Sequence, residues 1–318
     1  MTRHLALVGP TASGKSGLAL AIARAFGDVE IVSLDSMQVY RGLDIGTAKP
    51  TRAQRDEVVH HLVDVADPSE EWSVRRTQES ARAVLADIEA RGCRGLLVGG
   101  TGLYVRAVID DLEIPPTDRS VRDELERSVE SVAGLEQAYT RLTDLDPAAA
   151  ARMEPGNRRR IVRALEVIEL TGRRFSSFGP GIDEYPEPAI SVAMIGLQFA
   201  PPVLAQRIAH RFAEMRSAGL LDEIRTLVEL PAGRSLSRTA REAIGYRELI
   251  AYFAGEIETL DDAFDAAVRR TRRFARRQRT WFGRDPRVQW VDGSQAEADL
   301  VATATRSWRD ARTASAAV

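Results

Sequence analysis

The octapeptide Gly9 to Ser16 reads GPTASGKS and fills every fixed position of the pattern G-x-x-x-x-G-K-[ST]. Its flanks narrow what the chain can fold into. Leu5, Ala6, Leu7 and Val8 form a short apolar run of buried-strand type before the first glycine. After Lys15, the apolar residues Leu18, Ile22 and Phe26 recur at helical spacing. Strand, glycine-rich loop and helix in that order make a phosphate cradle. Successive N–H groups point inward, the helix N-terminus adds partial positive charge, and Lys15 supplies a full one. Gly9 and Gly14 permit the tight turn and close backbone approach that a Cβ obstructs. Gly9, Pro10, Thr11, Ala12, Ser13, Gly14, Lys15 and Ser16 are therefore expected to bind a polyphosphate or diphosphate. The loop alone does not choose a reaction, because it recognises phosphate oxygens.

The rest of the chain supplies the frame. Its 318 residues suit one large α/β domain with a smaller inserted or appended one. Leu5–Val8, Glu30–Leu34 and Gly95–Val98 read as strands and Val74–Ala90 as a helix, an alternation that means a parallel sheet with helices on its faces. Ile114-Pro115-Pro116 breaks that pattern, and Asp118 to about Gly172 reads as helices only, with Val121, Leu125, Val129 and Val132 at helical spacing. A Gly/Pro/Ser-rich loop over Phe175 to Pro188 follows, then a strand, Ile190–Leu197, more helices to Phe282, and a final strand, Val288–Val291. The expected fold is α/β, a doubly wound parallel sheet of the P-loop NTPase kind with an all-helical inserted domain. Residues 1–117 and 187–318 would form the core and 118–186 the insertion. The tail beyond Ala298, rich in Ala, Thr and Ser, is expected to fray. The single cysteine, Cys93, rules out an intramolecular disulfide and a cysteine zinc cluster. With no apolar stretch near 18 residues and a strand starting close to Met1, a soluble, cytoplasmic, monomeric protein without a signal segment is expected.

Three clusters fall where a doubly wound sheet places ligands, at the carboxyl ends of strands. Asp35-Ser36-Met37-Gln38-Val39-Tyr40 follows the strand ending in Ser33-Leu34. An aspartate there can hold magnesium through water, accept a proton from a nucleophile, or merely cap the next helix. Gly99-Gly100-Thr101-Gly102-Leu103-Tyr104 follows Leu96–Val98 and puts glycines and a hydroxyl where many ATP hydrolases carry an acid. The third cluster is a helix from Arg269 to Phe282. Ala267, Thr271, Phe274, Gln278 and Trp281 form one stripe, with Arg269, Arg272, Arg276 and Arg279 beside it. Four guanidinium groups over ten residues span roughly 15 Å of helix, which suits a row of phosphates. Net charge is only −2, yet Arg269 to Arg287 holds nine arginines against one acid, and Arg152 to Arg174 seven against three. Two such blocks suggest a polyanion footprint, with solvated helix faces as the plainer alternative. His60 and His61 lack metal-ligand partners and read as structural.

The motifs GPTASGKS, DSMQVY, GTAKP (Gly46 to Pro50), HHLVD (His60 to Asp64), GGTGLY, RRIVRALEV (Arg159 to Val167), GYRE (Gly245 to Glu248) and RRQRTWF (Arg276 to Phe282) occur together in that order. In this the chain closely resembles the tRNA dimethylallyltransferase family, the bacterial isopentenyl-diphosphate:tRNA transferases, from Leu5 to about Phe282. It departs before Arg159, where the family usually has Asn-Asp and one further residue and this chain has Gly156-Asn157-Arg158. The resemblance implies transfer of the dimethylallyl group of dimethylallyl diphosphate to N6 of the adenosine 3′ to a tRNA anticodon, without ATP. It further implies Asp35 as the proton acceptor, Thr101 on the diphosphate, and Lys15 and Ser16 on the phosphates and Mg²⁺, with Ser16 the metal contact. The RNA-contacting set it implies is Asp35, Ser36, Met37, Gln38, Thr101, Arg122, Arg159, Arg160, Ile161, Val162, Arg163, Arg241, Tyr246, Arg272, Arg276, Arg277 and Gln278. The target base would leave the anticodon-loop stack to react. The rival classes are a P-loop nucleoside or small-molecule kinase, which needs no arginine rows, and a non-catalytic RNA-binding protein, which leaves Asp35 and Thr101 unexplained.

Overall fold

The computed structural model describes residues 3–178, 184–229 and 235–314, with side chains to residue 308. The chain divides into two compact units, one of Met1–Asp111 with Tyr185–Val318 and one of Leu112–Glu184.

The larger unit opens with β1 (His4–Val8), α1 (Lys15–Phe26), β2 (Val29–Ser33), α2 (Arg52–Glu57), β3 (His60–His61), α3 (Val74–Ala90), β4 (Arg94–Gly99) and α4 (Gly102–Ile109). The smaller unit is helical: α5 (Arg119–Ser128), α6 (Val132–Leu145), α7 (Pro147–Ala150) and α8 (Arg158–Thr171). The chain then returns through β5 (Val192–Gln198), α9 (Pro201–Ser217), α10 (Leu220–Val228), α11 (Arg238–Arg241), α12 (Tyr246–Phe253), α13 (Leu260–Phe282), β6 (Val288–Asp292) and α14 (Glu297–Ala314).

Six parallel strands form one sheet in the order β3-β2-β4-β1-β5-β6. Alternation along β1 sorts its side chains between two layers. Leu5 and Leu7 join Leu18, Ile22 and Trp308 on one face, while Ala6 and Val8 join Leu85, Val105 and Phe282 on the other. A further apolar cluster forms among α9 to α13, with Phe212, Ile224, Tyr246 and Phe264 at its heart. The order of strands matters for the site. β2, β4 and β1 are consecutive neighbours, so the loops leaving their carboxyl ends emerge side by side.

Three elements depart from what the sequence predicts. β3 is only two residues long, pairing His60 with Ile31 and His61 with Val32, too short for any periodicity to register. The tail is no frayed coil. Leu300, Ala304 and Trp308 recur every four residues on α14 and are buried against the sheet layer that contains α1. Trp308 stacks 5.5 Å from Phe26, and the Arg94 guanidinium lies 4.4 Å from the Phe26 ring and 4.7 Å from that of Trp308. The helical unit also begins at Leu112 rather than Asp118, because Arg163 on α8 donates to the carbonyls of Pro115 and Pro116 at 2.9 and 2.8 Å. Part of the loop expected over 175–188 lies outside the described residues.

Candidate active site

The glycine loop turns out of β1 through three residues of positive φ, Gly9, Ala12 and Gly14. Gly9 has φ +138° and a Cβ there would fall 2.6 Å from the Leu197 carbonyl oxygen of β5. Gly14, at φ +88°, opens α1 and leaves its first N–H groups without intrahelical partners. Lys15 Nζ donates to the loop's own Pro10 carbonyl at 2.7 Å. Burial pushes this ammonium down to about 7, with Asp35 opposing and Arg211 adding to the effect. A phosphate beside it supplies the counter-charge that restores the protonated form. Gly14 and Ser16 are exposed, while Gly9, Pro10 and Ser13 are buried supports of the turn.

Asp35 follows β2. Its Oδ1 accepts the Met37 N–H at 2.8 Å and, more weakly, that of Gln38 at 3.4 Å, so it closes a turn over residues 36–39, where the expected helix does not form. That role uses one oxygen. The carboxylate lines both a cleft of about 980 Å³ and an adjoining cavity of about 260 Å³. Thr101 begins α4 without making a side-chain cap hydrogen bond, and it lines the smaller cavity together with Asp35. The larger cleft runs over Thr11, Lys15 and Ser16, and the smaller one is walled by Met37, Ile208, Phe212, Met215 and Phe274. The smaller cavity also takes Glu242, Arg270 and Arg277 into its wall, so a cleft over the phosphate loop adjoins a cavity of mixed polar and apolar lining, and Asp35 and Arg211 line both.

Two arginines on α9 complete this site and were not anticipated. Arg211 lines both compartments and reaches Thr11 Oγ1 at 3.3 Å, and Arg207 Nε donates to the Ala12 carbonyl at 2.8 Å. Burial lowers Arg211's proton affinity, with Asp35 and Glu214 counteracting it. The only sequence signal is the four-residue step from Arg207 to Arg211 beside the buried stripe Leu204, Ile208, Phe212 and Met215.

The residues expected to meet RNA separate by environment. Arg241, Arg272, Arg276 and Arg277 are exposed on the larger unit, and Arg159 and Arg160 are exposed on the helical unit. Ser36 is half-buried at the smaller cavity, and Met37 packs against the helical core beside it. Others are engaged within the fold. Ile161 and Val162 are buried in the core of the helical unit, so their side chains hold α8 in place. Arg122 and Arg163 pair at 2.6 and 2.7 Å with Glu166, which is fully buried and also accepts from Thr117. Tyr246 is buried, and its hydroxyl donates to Glu223, which also accepts the N–H groups of Asp44, Ile45 and Gly46. Gln38 accepts from Ser33 Oγ and donates to the Thr47 and Ala48 carbonyls. Gln278 likewise spends its amide inside the protein, on Thr11 and Gly100. Ile161 and Val162 are taken up by apolar packing, and the polar and aromatic side chains by hydrogen bonds and ion pairs within the fold. His60 and His61 are structural, His61 Nε2 lying 2.6 Å from Glu30 and His60 Nδ1 2.7 Å from the Val58 carbonyl.

Among the described residues no group of three or more His, Cys, Asp or Glu side chains could hold a metal ion. Ser16 and Asp35, a hydroxyl and a carboxylate, both line the larger cleft. That donor set suits a hard divalent cation that takes most of its ligands from water and a substrate's phosphates. No helix among the described residues is long and apolar enough to cross a membrane.

A glycine-rich phosphate loop on the central β1, flanked by the loops after β2 and β4, makes this a P-loop-type α/β protein. The chain matches the family described as IPP transferase over residues 38–285, and that described as isopentenyl transferase over residues 2–62. It is 48% identical over 307 residues to a tRNA dimethylallyltransferase of Salinispora arenicola, covering 96% of this chain and 86% of that one. A tRNA dimethylallyltransferase of Acidothermus cellulolyticus is 44% identical over 315 residues, 98% of this chain and 96% of its own. The solved full-length tRNA isopentenylpyrophosphate transferase of Bacillus halodurans matches with a TM-score of 0.71 at 38% identity, over 99% of both chains. A eukaryotic dimethylallyltransferase acting on tRNA gives 0.73 at 25% identity, over 92% of this chain and 74% of that one. This chain belongs to the IPP transferase family.

Proposed function

We propose that this chain transfers the dimethylallyl group of dimethylallyl diphosphate to N6 of the adenosine 3′ to a tRNA anticodon, acting as a cytoplasmic monomer. The observation that carries this is the placement of Asp35, which lines both the cleft over the phosphate loop and the adjoining cavity that Thr101 also lines. The diphosphate lies against the loop N–H groups of residues 12–16, Lys15 and Arg211, and the prenyl and adenine groups meet beside Asp35 and Thr101. The N6 lone pair forms the new C–N bond as the prenyl C–O bond breaks, and the electron pair of that bond leaves with the diphosphate. Asp35 orients the amine and takes its proton. Lys15, Arg211 and the α1 N-terminus stabilise the charge that develops on the leaving group. Ser16 would hold Mg²⁺ together with the diphosphate, and the ion would add charge neutralisation.

Arg272, Arg276, Arg277 and Arg241 on the larger unit, and Arg159 and Arg160 on the helical unit, contact RNA in this proposal. An ATP-dependent kinase is not favoured, since the relatives and structural neighbours are tRNA dimethylallyl and isopentenyl transferases. The test follows diphosphate release with an anticodon stem–loop, Mg²⁺ and either dimethylallyl diphosphate or ATP. Diphosphate released only with the prenyl donor and RNA together supports the assignment. Phosphate transfer from ATP overturns it.

A further inference from the structure

Gln278 sits on α13, the helix that carries the exposed arginine row, yet its own side chain is buried, at 6% exposure. Its Oε1 accepts the Thr11 N–H at 2.8 Å and its Nε2 donates to the Gly100 carbonyl at 2.8 Å. One planar amide therefore joins the phosphate loop after β1 to the turn after β4 that ends in Thr101. The fit leaves no slack. A Cβ on Gly100 would fall 2.4 Å from Gln278 Nε2, and one on Gly102 would fall 2.0 Å from the Trp281 ring of the same helix.

We propose that Gln278 is a positioning residue: it does not touch RNA but fixes the separation of the two loops that hold the departing diphosphate and the Thr101 hydroxyl. This rests on the prenyl-transfer assignment above. The amide is matched to its task because one end must accept from an N–H and the other must donate to a carbonyl. Gln278→Glu keeps the Thr11 bond but sets an oxygen against the Gly100 carbonyl and adds negative charge beside the diphosphate. Gln278→Met keeps the volume and makes neither bond. Small displacements of groups that position a reacting centre cost about 10²-fold in rate.

The experiment measures melting temperature, stem–loop affinity, inorganic diphosphate affinity, and kcat and KM for dimethylallyl diphosphate. It compares the wild type with Gln278→Met, Gln278→Glu, Gly100→Ala and the Gly100→Ala/Gln278→Met double variant. Both Gln278 variants should lose about 10²-fold in kcat/KM for the prenyl donor, Glu more than Met, with stem–loop affinity held within about threefold. Inorganic diphosphate should bind more weakly to each. The double variant should be no worse than the poorer single one, because both changes break the same contact. Stem–loop affinity falling while diphosphate affinity holds would make Gln278 an RNA contact and overturn the proposal. Unchanged kinetics would overturn it as well. So would a large fall in melting temperature for all variants, which would mark the amide as a folding contact. Inorganic diphosphate binding needs neither RNA nor transfer. A wild type that binds diphosphate but modifies no RNA would thus refute the prenyl-transfer assignment and leave the clamp standing.

Discussion

Asp35 spends Oδ1 on the N–H groups of Met37 and Gln38, and Oδ2 has no hydrogen-bond partner among the described residues. Asp35→Asn therefore preserves the turn, since an amide oxygen still accepts from those N–H groups, but removes the basicity. A proton acceptor typically contributes about 10²–10⁴-fold in rate. Single-turnover rate should fall by about that factor, with RNA affinity within a few-fold and melting temperature almost unchanged. A normal single-turnover rate removes Asp35 from the chemistry. Glu30 offers a second test at this scale. It is 7% exposed on β2, and hydrogen bonds from Arg91, with His61 assisting, hold its carboxyl at about 2 against the opposing effect of burial. The folded value lies below the ordinary one of 4.5, so the ionised form stabilises above that pH. The contribution is lost as pH falls towards 2. Glu30→Gln should cost about 1–3 kcal/mol at neutral pH and flatten the fall of melting temperature between about pH 5 and 3. An unaltered acid limb would show that other carboxylates govern it.

At the scale of elements, the stripe and row on α13 were legible because both follow helical spacing. Ala267, Thr271 and Gln278 are buried and Phe274 and Trp281 half-buried, while Arg269, Arg272, Arg276 and Arg279 are exposed. If this row lies along RNA phosphates, Arg272→Ala/Arg276→Ala should lower the slope of log affinity against log salt by about 1.5–2, leaving prenyl diphosphate binding unchanged. An unaltered slope makes the row a solvated face. α14 was not legible. Its buried pattern is three residues, Leu300, Ala304 and Trp308, spread among Ala, Thr, Ser and charged residues, and Trp308 is the largest of them. Trp308→Ala should cost about 3–5 kcal/mol, read by denaturant unfolding, because a buried indole and its stacking on Phe26 and Arg94 are lost together. A cost under about 1 kcal/mol would restore the frayed tail. β3 escaped notice because two residues carry no period. Arg207 and Arg211 escaped because paired arginines on an amphipathic helix are ordinary, and only tertiary packing brings them to the phosphate loop.

For the whole molecule, the sequence order of motifs maps onto neighbouring strand ends. The three loops after β1, β2 and β4 lie far apart in sequence, and the sheet order alone makes them adjacent. What the sequence could not reveal was which motif side chains remain available. Tyr246, Gln38 and Gln278 look like ligand contacts on their motifs, and the fold has already satisfied all three. The charges on the helical unit show the same limit, since a buried Glu166 pairs with both Arg122 and Arg163, while Arg159 and Arg160 are exposed. The central claim is that the diphosphate held at this loop is the leaving group of a prenyl donor and that RNA receives the prenyl group. The most direct measurement incubates the protein with dimethylallyl diphosphate, Mg²⁺ and an anticodon stem–loop in the absence of ATP, then weighs the RNA and its nuclease fragments. The account predicts a gain of one dimethylallyl unit, confined to the fragment with the adenosine 3′ to the anticodon. An RNA of unchanged mass, or product that forms only when ATP is added, would contradict it.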